Sequence, residues 1–117
     1  MIDLEEKRRL LLALAAQLEV LIGMLELEPD PRRRYDVHFR PLLERARQLA
    51  QRDFTFDELK QLSSALEGVM NRPFQDYSPG AFDAEGRFQA APGTEHYQET
   101  ADRVAALALE LRVIGTY

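Results

Sequence analysis

The sequence predicts an all-α protein: a four-helix-bundle-like single domain over residues 1–117, with one long ordered loop between its third and fourth helices. Three observations predict it. Apolar residues recur at three- and four-residue spacing through four separate stretches, the period of a helix with one face in a core. The length of 117 residues suits a chain folded around one core. Three of the six prolines and three of the six glycines fall in one stretch, residues 72–93 (RPFQDYSPGAFDAEGRFQAAPG), which has no helical period.

The first helix is predicted over residues 3–26. Asp3 is a suitable N-cap, and Glu6 three residues later completes an acidic variant of the capping box. Leu4, Leu11, Leu14, Leu18, Leu21 and Leu25 form one stripe, and Leu10, Ala13, Val20, Met24 and Leu27 a second beside it. Two adjacent stripes make either a central helix buried on a wide face or a helix with one stripe turned to a second copy of the chain. A homodimer through this helix therefore stands beside the monomer. Lys7 interrupts the repeat, which argues against a true coiled coil.

Pro29-Asp30-Pro31 stops this helix and starts the next, since Asp30 can cap and Pro31 suits the first helical position. Pro41 predicts a break, because a proline disfavours helical geometry at the residue before it and lacks the ladder N–H. The second helix proper is then residues 41–51, with Leu42, Leu43, Ala46, Leu49 and Ala50 inward. Thr55 and Glu58 form a capping box for the third helix, Phe54 can staple onto Leu59, and Leu59, Leu62, Leu66, Val69 and Met70 make its apolar face. Asn71-Arg72-Pro73 ends it. The fourth helix begins near Thr94 or Glu95 and runs to about Val113, using Tyr97, Ala101, Val104, Ala105, Ala108 and Leu111, with Gly115 as its stop.

Residues 72–93 are longer than an ordinary connection, and such loops carry function or are disordered. Four of the ten aromatics, Phe74, Tyr77, Phe82 and Phe88, lie in it, which argues for order. AFDAEGRF can fold back as a small hairpin turning at Gly86. The aromatics can close one end of the bundle, at least two of them in this way, or present a patch to a partner; the two roles are compatible. The predicted binding residues are Phe74, Gln75, Asp76, Tyr77, Phe82, Asp83, Glu85 and Phe88. Acids around aromatic anchors suit a basic protein partner.

Charge and composition exclude several classes. With no cysteine there is no disulfide, thiolate metal site or cysteine nucleophile. The N-terminus places three acids ahead of its basic run, unlike a signal peptide. The apolar run of residues 10–25 contains Gln17 and Glu19 and is too short to span a bilayer, so no membrane association and a cytoplasmic location are expected. Residues 32–52 hold seven arginines against two acids, a local balance of +5, so with a net charge of −5 the rest of the chain carries −10. That acidic body makes nucleic acid an unlikely partner despite Tyr35 and Phe39 among the arginines. The arginines are expected to pair with acids of the first and fourth helices.

No grouping points to catalysis, and no metal or cofactor is expected. His38 and His96 are the two neutral-pH acid/base candidates, and His96 with Glu99 gives one reversed pair where a di-metal bundle needs two Glu-x-x-His pairs. Asp83-Ala84-Glu85-Gly86 brings its glycine too early for a calcium loop. Ser63, Ser64 and Ser78 occupy no nucleophile elbow. The expectation is therefore a non-enzymatic protein-interaction module. The alternative is a small-molecule-binding or enzymatic helical bundle with His38, His96, Tyr35 and Tyr97 around a pocket.

The run Gly68-Val69-Met70-Asn71-Arg72-Pro73-Phe74-Gln75-Asp76-Tyr77 and the closing ADRVAALALELRVIG resemble a set of small uncharacterised bacterial all-helical proteins, which carry a GGMGSFND-like turn after a helix. Val69 and Asn71 stand where that pattern has glycines, and Arg72-Pro73 adds a residue. The resemblance covers about the last half of the chain and implies a domain of unknown function. Among proteins of that size and acidity are immunity partners or antitoxins of bacterial toxins. It carries over no catalytic residue.

Overall fold

The computed structural model describes residues 4–71 and 74–114. Four helices, α1 (Leu4–Leu25), α2 (Asp36–Gln51), α3 (Phe56–Met70) and α4 (Tyr97–Ile114), form the all-α bundle that the periodicity predicts. Helix α1 packs against α2 and α4, and α3 against the same two, so α1 and α3 sit on a diagonal. Two short 3₁₀ turns, Pro31–Arg33 and Phe74–Asp76, and a two-stranded hairpin, β1 (Gly80–Phe82) and β2 (Phe88–Ala90), are the other elements among the described residues. The Asp3 cap, the Arg72-Pro73 terminator and the Gly115 stop lie outside the described residues.

The core follows the apolar stripes. Leu11, Leu14, Leu18, Leu21 and Leu25 of α1 are fully buried, and meet Phe39, Ala46 and Leu49 of α2, Leu59 and Leu66 of α3, and Val104 and Leu111 of α4. The second stripe of α1 divides: Leu10 and Met24 join the core, whereas Val20 and Leu27 are about half exposed and Ala13 faces solvent. One helix can turn only about half its circumference to two neighbours, so a stripe on its far side stays wet. Lys7 lies beside the core with its ammonium 3.8 Å from the Phe56 ring centroid, a cation–π contact that keeps the charge partnered.

The caps at α3 and at Pro31–Arg33 are as the sequence indicates. Thr55 Oγ1 accepts from the Glu58 N–H at 3.2 Å, and the Glu58 carboxylate accepts from the Thr55 N–H at 3.0 Å. Asp30 accepts from the Arg32 N–H at 2.9 Å, with Pro31 in the first helical position. Pro41 does not break α2: the helix starts five residues earlier, at Asp36, and runs through the proline. Pro41 lies on the solvent face, as does Val37, whose carbonyl the missing N–H would have bonded, so water can take that oxygen. Tertiary packing supplies the rest, since Phe39 in the first turn is fully buried. In α4 the helix begins at Tyr97, three residues after Thr94, and Ala105 faces solvent rather than the core.

The arginines of residues 32–52 are paired within the chain, with acids of the predicted first helix as expected at Glu19 and Glu26, but otherwise with acids outside the first and fourth helices. Arg47 reaches Glu19, Arg45 and Arg52 share Glu58 of α3, and Arg40 bridges Glu26 and Asp36; no pair in this set draws on α4. Asp36 is 1% exposed and takes a two-pronged bond from Arg34 at 2.7 and 3.0 Å. Those bonds first, and Arg40 after them, hold its carboxyl below the ordinary 3.8 against the opposing effect of burial. Glu58 falls from 4.5 to about 2, chiefly through Arg52 and then the Thr55 N–H. A carboxyl lowered by folding adds stability above its unfolded value and loses it as pH falls through the folded one. Stability should therefore drop between about pH 4.5 and pH 2. Circular dichroism melts across that window should show a flatter acid limb for Asp36→Asn and for Glu58→Gln; an unchanged limb in both would exclude these pairs as its source.

Candidate functional site, the aromatic lid and its hairpin

The long loop separates into two parts with opposite fates. Its first part is a lid. Phe74 and Tyr77, on and just after the 3₁₀ turn, are 4% and 6% exposed. Phe74 stands 5.1 Å from Phe39 and 5.2 Å from Tyr35 between ring centroids, and Tyr77 stands 4.6 Å from Tyr35 and 6.2 Å from Tyr97. Edge-on and tilted rings at these distances close the bundle with aromatic surface. Burial first, and the Glu28 charge second, push the Tyr77 hydroxyl above its ordinary 10.

The second part is the hairpin, and it stands out from the bundle. Gly80 pairs with Ala90, Ala81 with Gln89, and Phe82 with Phe88. Phe82 is 67% and Phe88 40% exposed, and their rings meet edge-to-face at 5.6 Å. The turn between them is held by Asp83, whose Oδ1 accepts the N–H groups of Glu85 and Arg87, each at 2.9 Å. Asp83 Oδ2 accepts from the Gln89 amide at 3.1 Å, and Gly86 takes the positive φ of 77° that the turn requires. Backbone donation from Arg87 leads in holding the Asp83 carboxyl below 3.8. The acidic turn predicted at 83–86 is thus closed by hydrogen bonds to its own Asp83.

Glu28 fastens the hairpin to the bundle. Its side chain is fully buried; Oε2 accepts the Gly80 N–H at 2.9 Å, and Oε1 lies 3.3 Å from Arg33 Nε as an ion pair without a well-angled hydrogen bond. Arg33 also donates to the Ser78 carbonyl and lies 5.0 Å over the Tyr77 ring. Gly80 itself admits no side chain: with φ at 154°, a Cβ there would fall 2.6 Å from the Phe88 ring and 2.3 Å from the Gln89 carbonyl. Phe88 therefore lies across the backbone of β1, and this fixes the angle of the aromatic pair.

Of the eight residues predicted to bind, the structure gathers Phe82, Asp83, Glu85 and Phe88 on the hairpin. Gln75 and Asp76 are exposed on the 3₁₀ turn, and Phe74 and Tyr77 are withdrawn into the core, as the lid role requires of two of the aromatics. Sequence reasoning missed Glu28 and Arg33 as the anchor. No local signal marks them, because their partner Gly80 lies 52 residues from Glu28.

The residues of the alternative pocket are not brought together. Tyr97 lines a cleft of about 360 Å³ between α3, α4 and the lid, along with Phe74, Tyr77, Glu67 and Asp102. Tyr35 and His38 line a second cleft of about 600 Å³ with Arg32, Arg33 and Arg34. His96 lines neither; its ring is 81% exposed and 3.3 Å from Glu99. Among the described residues no three or more histidines and acids are grouped to hold a metal ion. No helix among the described residues is long and apolar enough to cross a membrane. Comparison with known protein families, curated proteins and solved structures finds no match to this chain.

Proposed function

We propose that this chain is a non-enzymatic protein-interaction module that captures a basic partner through the β1–β2 hairpin. One observation carries the reading: two phenylalanines stand edge-to-face in water on a hairpin whose turn is hydrogen-bonded through Asp83 and whose base is anchored by a buried carboxylate. Full burial of a phenylalanine is worth about 1.5–3 kcal/mol, and the monomer forgoes most of that at Phe82. Rigid aromatic anchors are the residues that dominate interface energies, because little conformational freedom is lost when they dock. Asp83 and Glu85 beside them, on a chain of net charge −5, favour a cationic surface and speed its approach. The narrower form, an immunity protein or antitoxin bound to a bacterial toxin, is supported only by the resemblance of residues 68–77 and the closing helix.

The test is site-specific. A photo-crosslinking phenylalanine analogue at position 82, in cells of the source organism, should trap one basic protein in stoichiometric yield; the same analogue at Leu109, an equally solvent-facing residue of α4, should not. With that protein purified, Phe82→Ser with Phe88→Ser should weaken binding by about a hundredfold or more. The association rate should fall as salt rises. Equal trapping at both positions, or an acidic partner, would count decisively against the reading.

A further inference from the structure

The face of α1 turned away from the core carries a second, independent feature. Leu12, Ala16, Val20 and Gly23 of α1 and Leu27 of the turn that continues it follow one another at intervals of four, four, three and four residues, which sets them in one line. That line lies opposite Leu11, Leu14, Leu18, Leu21 and Leu25. Leu12 is 53%, Val20 51% and Leu27 46% exposed, Ala16 faces solvent, and a Cβ on Gly23 would touch nothing within 4 Å. Single exposed leucines are ordinary, but a line of five residues without one polar side chain on the outer face of a helix is not.

We propose that this face joins a second copy of the chain, the two α1 helices running antiparallel about a two-fold axis beside Val20. The order of sizes argues for that occupant and that direction. A two-fold interface is self-complementary: where one residue meets another, the second meets the first. The line reads large, small, large, small, large, and is the same from either end. An antiparallel pair sets Leu12 of each copy against Leu27 of the other and Ala16 against Gly23, and brings the two Val20 side chains together at the axis. The small residues let the backbones approach while the large ones fill the ends.

Charge agrees with the direction. Arg9, one turn before Leu12 on the same line, is 77% exposed and has Glu5 as its ion-pair partner at a loose 4.0 Å. Glu26, which also pairs with Arg40, and Asp30, which also pairs with Arg32, flank the opposite end beside Leu27 and keep side chains 43% and 31% exposed. Antiparallel helices bring Arg9 of one copy to those acids of the other, whereas parallel ones would set Arg9 against Arg9. A contact along one helix, about 20 Å long and about 10 Å wide, covers far less than the roughly 800 Å² that a standard interface takes from each partner. The association is therefore dependent on concentration. Because Gly93 at the hairpin's exit abuts Leu27, this pairing leaves the two hairpins at opposite ends of the dimer, both with their phenylalanines free.

Sedimentation of the full chain over rising concentration should show the mass climbing from 13.4 kDa toward twice that value. Val20→Glu, which places two carboxylates at the axis, should hold it at the monomer mass with helical content unchanged. Leu109→Glu on α4, and Phe82→Ser with Phe88→Ser on the hairpin, should leave dimerisation intact. As the chain has no cysteine, direction can be read by disulfide trapping. Val20→Cys should link to itself, and Leu12→Cys should link to Leu27→Cys in a mixture of the two but not to itself. A monomer mass at every concentration, a dimer that survives Val20→Glu, a dimer lost with the hairpin phenylalanines, or self-linking of Leu12→Cys would each overturn the proposal.

Discussion

Phe74→Ala should destabilise the protein by about 3–5 kcal/mol, the cost of truncating a buried aromatic that its neighbours cannot close over. The ring is 4% exposed and touches Tyr35, Phe39 and Tyr77, three aromatics that come from α2, its N-terminal flank and the lid. Rings are stiff, so they fill the space of a lost neighbour poorly. The measurement is urea unfolding followed by circular dichroism at 222 nm (roughly the helical minimum), with near-ultraviolet tyrosine signals as a second probe. The matched control is Phe82→Ser with Phe88→Ser. That pair is exposed, and its edge-to-face contact contributes about 0.5–1.5 kcal/mol, so its midpoint should move little. The contrast assigns roles within one loop: stability to Phe74 and Tyr77, recognition to Phe82 and Phe88. A small loss in Phe74→Ala together with a large one in the hairpin variant would reverse the assignment.

Much of this division is foreshadowed in the sequence, and the parts that are not share one cause. Local rules work where the deciding partner is local. Thr55 and Glu58 cap α3 three residues apart, Asp30 caps across two, and Gly86 turns between strands whose nearest pair, Phe82 and Phe88, is six residues apart. The leucine line of α1 works for the same reason, since periodicity alone decides which side of a helix is apolar. Where a distant segment decides, pattern fails. Pro41 reads as a break until Phe39, one turn into the helix, is seen fully buried in a core that the other helices complete. Phe74 and Phe82 have the same composition around them, and nothing local tells that one is under Tyr35 and the other in water. Glu28 and Asp36 resemble the many surface acids of an acidic chain, yet among the described residues they are the most deeply buried charges.

The last of these has the strongest functional consequence. Glu28→Ala should cost about 2–3 kcal/mol, because it leaves the buried Gly80 N–H without an acceptor and Arg33 without its counter-ion. The loss falls short of the 3–5 kcal/mol typical of breaking a fully buried pair, since the Arg33 side chain is 36% exposed and water can solvate it. The damage should be local first. Amide exchange at Gly80, and at Ala91, whose N–H donates to the Pro79 carbonyl, should quicken by about 30- to 100-fold, while amides of α1 and α3 slow or quicken far less. Glu28→Gln keeps an oxygen for Gly80 and should recover part of that protection, although the charge on Arg33 stays unmatched. Partner capture should fall in Glu28→Ala even though this buried residue can touch no partner, because the angle of Phe82 and Phe88 depends on where Gly80 is fixed. A variant that melts earlier as a whole while the Gly80 and Ala91 amides keep their relative protection would show that the carboxylate supports the bundle and does not fasten the hairpin.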